Sequence, residues 1–274
     1  MRGVTGCRLV GMKIHVLMEN SASSDDYAAE HGLSLLVETA GRHILFDSGA
    51  SAAFADNAEK MGVDLSRVEL AVLSHGHYDH GGGLARFLEA NTRATVWVSE
   101  HAFEPHFNSS GRDIGLDAAL RHHPRIRKVP TPVFSPAAGM TLFSATEVPL
   151  THGLDTSGMS VLREGKCVSD DFRHEQYLLV EEQGKRVLFS GCSHRGILNI
   201  AGYFRADVLV GGFHFMKLSP VSHAAQLNLA ADVLLQLPTR YLTGHCTGDA
   251  ATLCLKERMS ERLHTFSAGQ IICL

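Results

Sequence analysis

Three histidines and one aspartate lie within a six-residue stretch that directly follows an apolar run at residues 68–73. The length and continuity of the run are typical of a buried β-strand. Imidazole nitrogens and carboxylate oxygens are ligands that Zn²⁺ accepts. Just beyond a strand end, the first two side chains can face one cation and the last two can reach a second. The cluster therefore predicts a metal site at a strand end, held by His75, His77, Asp79 and His80.

Apolar strand patterns alternate with amphipathic helix patterns along the chain. Strands are predicted at residues 12–17, 34–38, 43–46, 68–73, 95–99, 140–145, 176–180, 187–189, 208–210, 241–242 and 270–273. Helices are predicted at residues 53–61, 84–90, 196–204, 222–236 and 250–263. The alternation indicates an α/β fold in which two sheets are flanked by helices, in one domain spanning residues 1–274. Residues from about 100 to 135 lack clear periodicity, and we interpret them as an insertion that covers the site.

Composition limits the class of protein and its partners. The 274 residues are 45% hydrophobic and 20% charged, as in an ordinary globular protein. The net charge of -4 and the short basic runs do not predict a nucleic-acid interface, so a small-molecule substrate is expected. Because the sequence has neither an apolar stretch of about 18 residues nor a signal-peptide pattern, we expect a cytoplasmic protein without a membrane span. The composition leaves the oligomeric state open.

Further ligand candidates follow other predicted strands. His194 and His245 each lie in a glycine-rich turn behind an apolar strand, which favours both as metal ligands. His214 has the same placement and could act as a ligand, as a group behind a ligand, or as a substrate contact. Cys192 could bind a cation as a thiolate, or fill the core as a small apolar residue. His152, which Gly153 follows, is an alternative ligand.

Asp47 also follows a predicted strand. An aspartate there can accept a hydrogen bond from the far nitrogen of a ligand histidine and set its orientation. Its alternative role is to cap the turn that follows the strand, and we favour the first role. For the remaining histidines the sequence predicts only surface or core positions: His15, His43, His101, His106, His122, His123, His174, His223 and His264.

The strand-end blocks together resemble the signature of the metallo-β-lactamase superfamily. The resemblance is carried by residues 46–49 and by the stretch 74–83, which reads SHGHYDHGGG. It implies a four-layer αββα sandwich with metal ions between the strand ends of two sheets. Blocks at 30–34, 190–199, 211–214 and 245–248 resemble a subfamily of metal-dependent hydrolases named after dihydropterin-ribofuranosyl-aminobenzene-phosphate synthase. Cys192 departs from the superfamily pattern, because many members have an aspartate there that bridges the metals.

The resemblance implies two divalent metal ions, with zinc favoured and manganese or iron sharing the same ligand types. One ligand triad would consist of His75, His77 and His194, and the other of Asp79, His80 and His245. A hydroxide produced from water at the metals would attack a phosphorus or carbonyl centre. Catalytic roles would fall to Asp79, which orients the nucleophile, and to His214 and His31, as acids or substrate-orienting groups. The implied enzyme is a hydrolase acting on a phosphoester or another small anionic substrate.

Two other functions stay open at this point. A synthase could form a carbon–nitrogen bond between a pterin and a phosphoribosyl compound on the same metals, as the subfamily name implies. A non-catalytic metal-binding or redox-sensing protein could use Cys192 as its responsive group. Turnover of generic phosphodiesters favours the hydrolase, and turnover confined to a pterin and a phosphoribosyl donor favours the synthase. Metal binding without turnover favours the sensor.

Overall fold

The computed structural model describes residues 11–274. The strands are β1 Lys13–Met18, β2 Ser34–Thr39, β3 Arg42–Phe46, β4 Leu70–Val72, β5 Thr95–Val98, β6 His106–Phe107, β7 Ile126–Lys128, β8 Val133–Ala137, β9 Met140–Ser144, β10 Ser160–Arg163, β11 Lys166–Ser169, β12 Gln176–Glu182, β13 Lys185–Gly191, β14 Val208–Gly211, β15 Arg240–Thr243, β16 Leu263–Thr265 and β17 Ile271–Cys273. The helices are α1 Ala53–Lys60, α2 Tyr78–Gly81, α3 Leu84–Ala90, α4 Ile197–Phe204, α5 Ala224–Leu235 and α6 Asp249–Met259. None of the helices within this described part has the length and apolar character needed to cross a membrane.

Two seven-stranded sheets form the body of the molecule. The first has the strand order β17-β1-β2-β3-β4-β5-β7, and the second has the order β16-β15-β14-β13-β12-β9-β8. In the first sheet β3, β4 and β5 run parallel, and in the second β13, β14 and β15 run parallel. Because the carboxyl ends of parallel neighbours lie at one edge of a sheet, residues that follow these strands come close together.

The two sheets pack face to face, with helices on both outer surfaces. Side chains alternate across β3, so Ile44 and Phe46 are buried between the sheets while Leu45 faces the layer of α1 and α3. Phe46 meets Phe189 of the second sheet at 5.5 Å between ring centroids. Helices α4, α5 and α6 bury their apolar side chains against the opposite face of the second sheet. The predicted four-layer αββα sandwich is confirmed.

The helix predicted at residues 250–263 is wrong at its end. It stops at Met259, because Ser260 has a φ of 47°, in the left-handed region that a right-handed helix cannot continue through. The residues that follow form β16, which pairs in parallel with β15. The apolar side chains at the end of the predicted helix therefore belong partly to an edge strand.

The segment predicted as an irregular insertion contains short strands. β6 joins β10 and β11 in a small three-stranded sheet, while β7 extends the first sheet beyond β5. β6 and β7 contain only 2 and 3 residues, too few to produce a readable periodicity. The Tyr78 N–H donates to the Ile114 carbonyl at 2.9 Å, which ties this segment to the histidine cluster. The single domain and the covering role of the insertion stay predictions.

Candidate metal centre

Seven of the predicted ligand side chains come together where strands end. The loop after β4, with the short helix α2, supplies four of them; the loop after β13 supplies two and the loop after β15 supplies one. The most exposed of the seven, Asp79, retains only 8% of its accessible surface. The seven are His75, His77, Asp79, His80, Cys192, His194 and His245.

The first group of donor atoms surrounds His75. Its Nε2 atom lies 3.3 Å from Nε2 of His194. The ring centroid of His77 is 4.6 Å from that of His75 and 4.9 Å from that of His194. The three imidazoles thus converge, as the nitrogen ligands of a metal site do.

The second group of donor atoms surrounds His80. Its Nε2 atom lies 3.1 Å from Nε2 of His245 and 3.1 Å from Sγ of Cys192. Oδ2 of Asp79 lies 3.2 Å from Nε2 of His245. Two imidazoles, a thiol and a carboxylate offer four donor atoms, which is the number that a tetrahedral zinc site takes. Of the two roles open for Cys192, its contact with His80 favours that of a ligand.

The hydrogen bonds on the far side of these rings show that the second group fits a cation. A carboxylate only accepts hydrogen bonds, so His80 donates from Nδ1 to Oδ2 of Asp47 at 2.7 Å. His245 donates from Nδ1 to Oδ1 of Asn20 at 2.9 Å. In the neutral rings both Nε2 atoms then carry lone pairs, and these face each other at 3.1 Å. Facing lone pairs repel, so either a proton or a metal cation must lie between them. Burial alone would lower the pKa of His245, but Asp79 raises that pKa above its usual value. The nearby thiol and carboxylate also suit a divalent metal.

Asp47 orients rings of both groups. Its Oδ1 accepts the Ser74 N–H at 2.7 Å, and its Oδ2 accepts the Ser74 hydroxyl at 2.7 Å. The same hydroxyl oxygen can accept a hydrogen bond from Nδ1 of His75 at 2.8 Å. Through Ser74 for one ring and directly for His80, Asp47 leaves both Nε2 atoms free to bind. This arrangement supports the role that we favoured for Asp47 from the sequence.

Replacing Asp47 with alanine should weaken metal binding roughly 10- to 100-fold, the usual effect of losing a partner behind a ligand. It should also lower the free energy of unfolding of the metal-free protein by about 1–3 kcal/mol or more, because buried donors are left unpaired. Competition with a chromogenic chelator and urea unfolding measure the two effects. Asp64→Ala is the control, because Asp64 is exposed and bonds only within its own turn. Equal metal affinity in the two variants would contradict the prediction.

Burial sets the protonation states of the donors. It lowers the pKa of His75, His77 and His194 well below the usual value for histidine. Burial alone would raise the pKa of Asp79, but His80 and then His245 hold that pKa well below its usual range. Neutral imidazoles and an ionised carboxylate are the forms that bind metal ions.

The two histidines predicted as catalytic flank the donor groups. Nε2 of His31 lies 3.3 Å from Oδ2 of Asp79, and its side chain is 43% exposed. The His214 ring is 4.4 Å from the His194 ring, and burial followed by the charge of Lys217 lowers the pKa of His214 to about 4.

The alternative ligand His152 is exposed and lies at the edge of a cavity that His194 and His214 also line. It belongs to none of the groups of converging ligand atoms found within residues 11–274. Between His152 and His194, the structure therefore places His194 among the donors.

The sequence did not predict several residues that accept hydrogen bonds from the candidate ligands. Oε1 of Glu19 accepts the His245 N–H at 2.6 Å, and Asn20 follows directly in the chain. Glu175 accepts the His194 N–H at 2.7 Å, and burial raises the pKa of Glu175 to about 7. The strand-end rule could have found Glu19 and Asn20, because β1 ends one residue before them.

Two histidines for which the sequence predicted only surface or core positions lie against His77. His106 and His174 are fully buried, with ring centroids 5.5 Å and 5.0 Å from that of His77. A core position is correct for both, but the sequence did not indicate their contact with a ligand. His106 lies in the two-residue strand β6, and His174 lies in the turn before β12, so no local signal separates them from other histidines.

Comparisons with known proteins show the family of the chain. The metallo-beta-lactamase superfamily profile matches residues 28–167. The 7,8-dihydropterin-6-methyl-4-(beta-D-ribofuranosyl)-aminobenzene-5'-phosphate synthase of Methanocaldococcus jannaschii is 25% identical over 298 residues, covering 95% of this chain and 96% of that protein. The crystal structure of Tm1679, a metal-dependent hydrolase of the beta-lactamase superfamily, matches with a TM-score of 0.81 and 30% identity, covering 95% of this chain and 98% of that one.

A more distant structure shares the fold alone. Zn²⁺-bound PqqB from Methylobacterium extorquens matches with a TM-score of 0.59 and 13% identity, covering 96% of this chain and all of that one. The profile match contains the histidine cluster after β4, and the Tm1679 match extends across both sheets. The chain therefore belongs to the metallo-β-lactamase superfamily.

Proposed function

We propose that this protein is a metal-dependent hydrolase that holds two divalent cations, one on each donor group. The observation that carries the proposal is the opposed pair of Nε2 atoms of His80 and His245, whose outer nitrogens are both used as donors. The mixed nitrogen, oxygen and sulfur set suits zinc. One cation would be held by His75, His77 and His194, and the other by Asp79, His80, Cys192 and His245.

These donors would hold divalent zinc, which when bound would lower the pKa of a water molecule to about 7 and so supply a nucleophile at neutral pH. The residues of the chain position this water and the substrate. Oδ2 of Asp79 is close to His31 and His245, at 3.3 Å and 3.2 Å from their Nε2 atoms. A carboxylate there can accept a hydrogen bond from the water and turn the oxygen lone pair towards the substrate. Burial lowers the pKa of His31, as it does that of His214, so the two neutral rings would orient the substrate.

A small cavity beside the first donor group supports a small anionic substrate. It has a volume of about 160 Å³, and its lining includes His194, His214 and Lys217. The Lys217 ammonium favours an anion, while Phe215 and Leu229 provide an apolar wall for an organic substituent. A phosphoester of a small organic alcohol combines these features and is the substrate class that we propose.

Two alternative functions have specific support. The identity to the dihydropterin synthase extends over 95% of this chain, which favours carbon–nitrogen bond formation between a pterin and a phosphoribosyl compound on the same cations. A metal- or redox-sensing role is favoured by two buried cysteines that lie next to each other, Cys192 and Cys246. The Cys246 Sγ lies 3.5 Å from the backbone carbonyl oxygen of Cys192.

The experiment is a metal analysis combined with turnover assays on the purified protein. We expect two equivalents of divalent metal and metal-dependent hydrolysis of bis-p-nitrophenyl phosphate, lost on chelation and restored by added zinc. Turnover confined to a pterin with a phosphoribosyl donor would favour the synthase. The sensor would be favoured if the protein binds metal, turns over neither the phosphodiester nor the pterin and phosphoribosyl pair, and releases metal when its thiols are oxidised. Hydrolysis that survives complete removal of metal would overturn the proposal.

A further inference from the structure

A second set of buried polar side chains lies directly behind His77. His106, Asp170 and His174 retain 0%, 1% and 0% of their accessible surface. The rings of His106 and His174 are 3.9 Å apart between centroids. These three residues and His77 each contribute one nitrogen or oxygen atom, and the four atoms all lie within 4.8 Å of one another. Four such side chains in one buried place need a physical account, because polar groups without partners are costly to bury.

The protons of this set can be assigned from one backbone contact. The Gly76 N–H donates to Nδ1 of His174 at 2.9 Å, so this nitrogen carries a lone pair. A neutral imidazole has a single N–H, and His174 therefore carries its proton on Nε2, which lies 3.3 Å from Oδ2 of Asp170 but outside hydrogen-bond geometry. His106 donates from Nδ1 to the same carboxylate oxygen at 2.9 Å. Nε2 of His106 is then left with a lone pair.

The assignment argues against a separate cation inside this set. Oδ1 of Asp170 accepts the Phe172 N–H at 2.8 Å, and its Oδ2 faces both imidazoles. In this tautomer His174 has no lone pair left to offer. Of the three residues only His106 keeps a free donor atom, its Nε2, and one donor does not make a metal site.

The ring that carries this free atom lies against the ring of His77. Among residues 11–274, the Nε2 atoms of His77, His106 and His174 are all buried nitrogens that lack a hydrogen-bond partner. The two rings meet edge to face, at 74° and 5.5 Å between centroids. A proton on Nε2 of His77 would give the His106 lone pair its donor through one bridging water. Nδ1 of His77 would then keep its lone pair for the first donor group.

We propose that Asp170 and His174 hold His106 as a hydrogen-bond acceptor, and that His106 fixes the tautomer of His77 so that it binds its cation through Nδ1. This inference rests on the proposed function, because it requires His77 to be a metal ligand. His106, Asp170 and His174 are positioning residues, since they act on the cation through His77. Partners of this kind usually change metal affinity roughly 10- to 100-fold.

Two substitutions of one residue test the proposal. His106→Phe keeps a ring of similar size but removes both nitrogens, whereas His106→Gln keeps one N–H for Asp170 and one acceptor for His77. We expect His106→Phe to raise the metal Kd roughly 10- to 100-fold and His106→Gln to restore most of the affinity. His15→Phe is the matched control, because His15 is a buried histidine paired with the Glu38 carboxylate at 2.9 Å.

The wild-type protein supplies a second readout that does not depend on how the variants fold. Nitrogen-15 NMR of the histidine rings should show the proton of His77 on Nε2, that of His106 on Nδ1 and that of His174 on Nε2. Metal titration should perturb Nδ1 of His77. A His77 that binds through Nε2, or equal metal affinity in His106→Phe and His15→Phe, would overturn the inference.

These measurements separate the inference from the proposed function. Loss of one whole equivalent of metal in His106→Phe, with unchanged affinity for the rest, would place a cation in the set and overturn the positioning role. A wild type that binds metal with the expected tautomers but hydrolyses nothing would remove the hydrolase alone. An active, metal-loaded wild type whose metal Kd is unchanged in His106→Phe would remove the inference alone.

Discussion

His77→Ala should remove metal from the first donor group and reduce hydrolysis by more than about 100-fold. This loss exceeds the roughly 10- to 100-fold loss that is usual when a residue hydrogen-bonded to a ligand is removed. The reason is geometric, since His77 is one of three imidazoles in that group and alanine offers no donor atom. His77 is 4% exposed and lies in a loop, so the sheets should form without its ring. Elemental analysis, steady-state kinetics and far-UV circular dichroism measure metal, activity and fold.

His43→Ala is the control for this experiment. His43 lies near the start of β3, at the end of the strand away from Asp47, and its nearest carboxylate is Glu38 at 3.9 Å. We expect wild-type metal content and activity in this variant. Full activity of His77→Ala at unchanged metal content would refute the first donor group.

Phe189→Ala should lower the free energy of unfolding by about 3–5 kcal/mol. Phe189 is fully buried between the sheets and packs against Phe46, so truncation leaves a cavity in the centre of the sandwich. The two phenylalanines precede Asp47 and the Cys192 loop, so their packing also sets how the two halves of the site face each other. Urea unfolding of the metal-free protein gives the change directly, because bound metal would add to apparent stability.

Leu253→Ala provides the comparison for a residue outside the core. Leu253 is 67% exposed on α6, so its truncation should change the free energy of unfolding by no more than about 0.5 kcal/mol. A loss below about 1 kcal/mol for Phe189→Ala would mean that the two sheets do not depend on this contact.

Much of the fold was predictable because its signals are local. The apolar run before His75 and the helix pattern near Phe54 appear in the structure within a few residues of their predicted bounds. The end of α6 was not predictable, because the left-handed conformation of Ser260 has no periodic signal. β6 and the segment around His174 are short and irregular, so their burial against His77 could not be inferred from periodicity.

The sequence by itself determined the types of the candidate ligands and their places after strands, because strand ends are marked by apolar runs that can be recognised one segment at a time. Only the tertiary structure decided which donor atoms face each other. His80 and His245 are 165 residues apart in the chain, and His75 and His194 are 119 apart. The tautomer of each ring depends on a partner from another segment, such as Asn20 for His245. Those hydrogen bonds form only after the two sheets have packed, so no local pattern contains them.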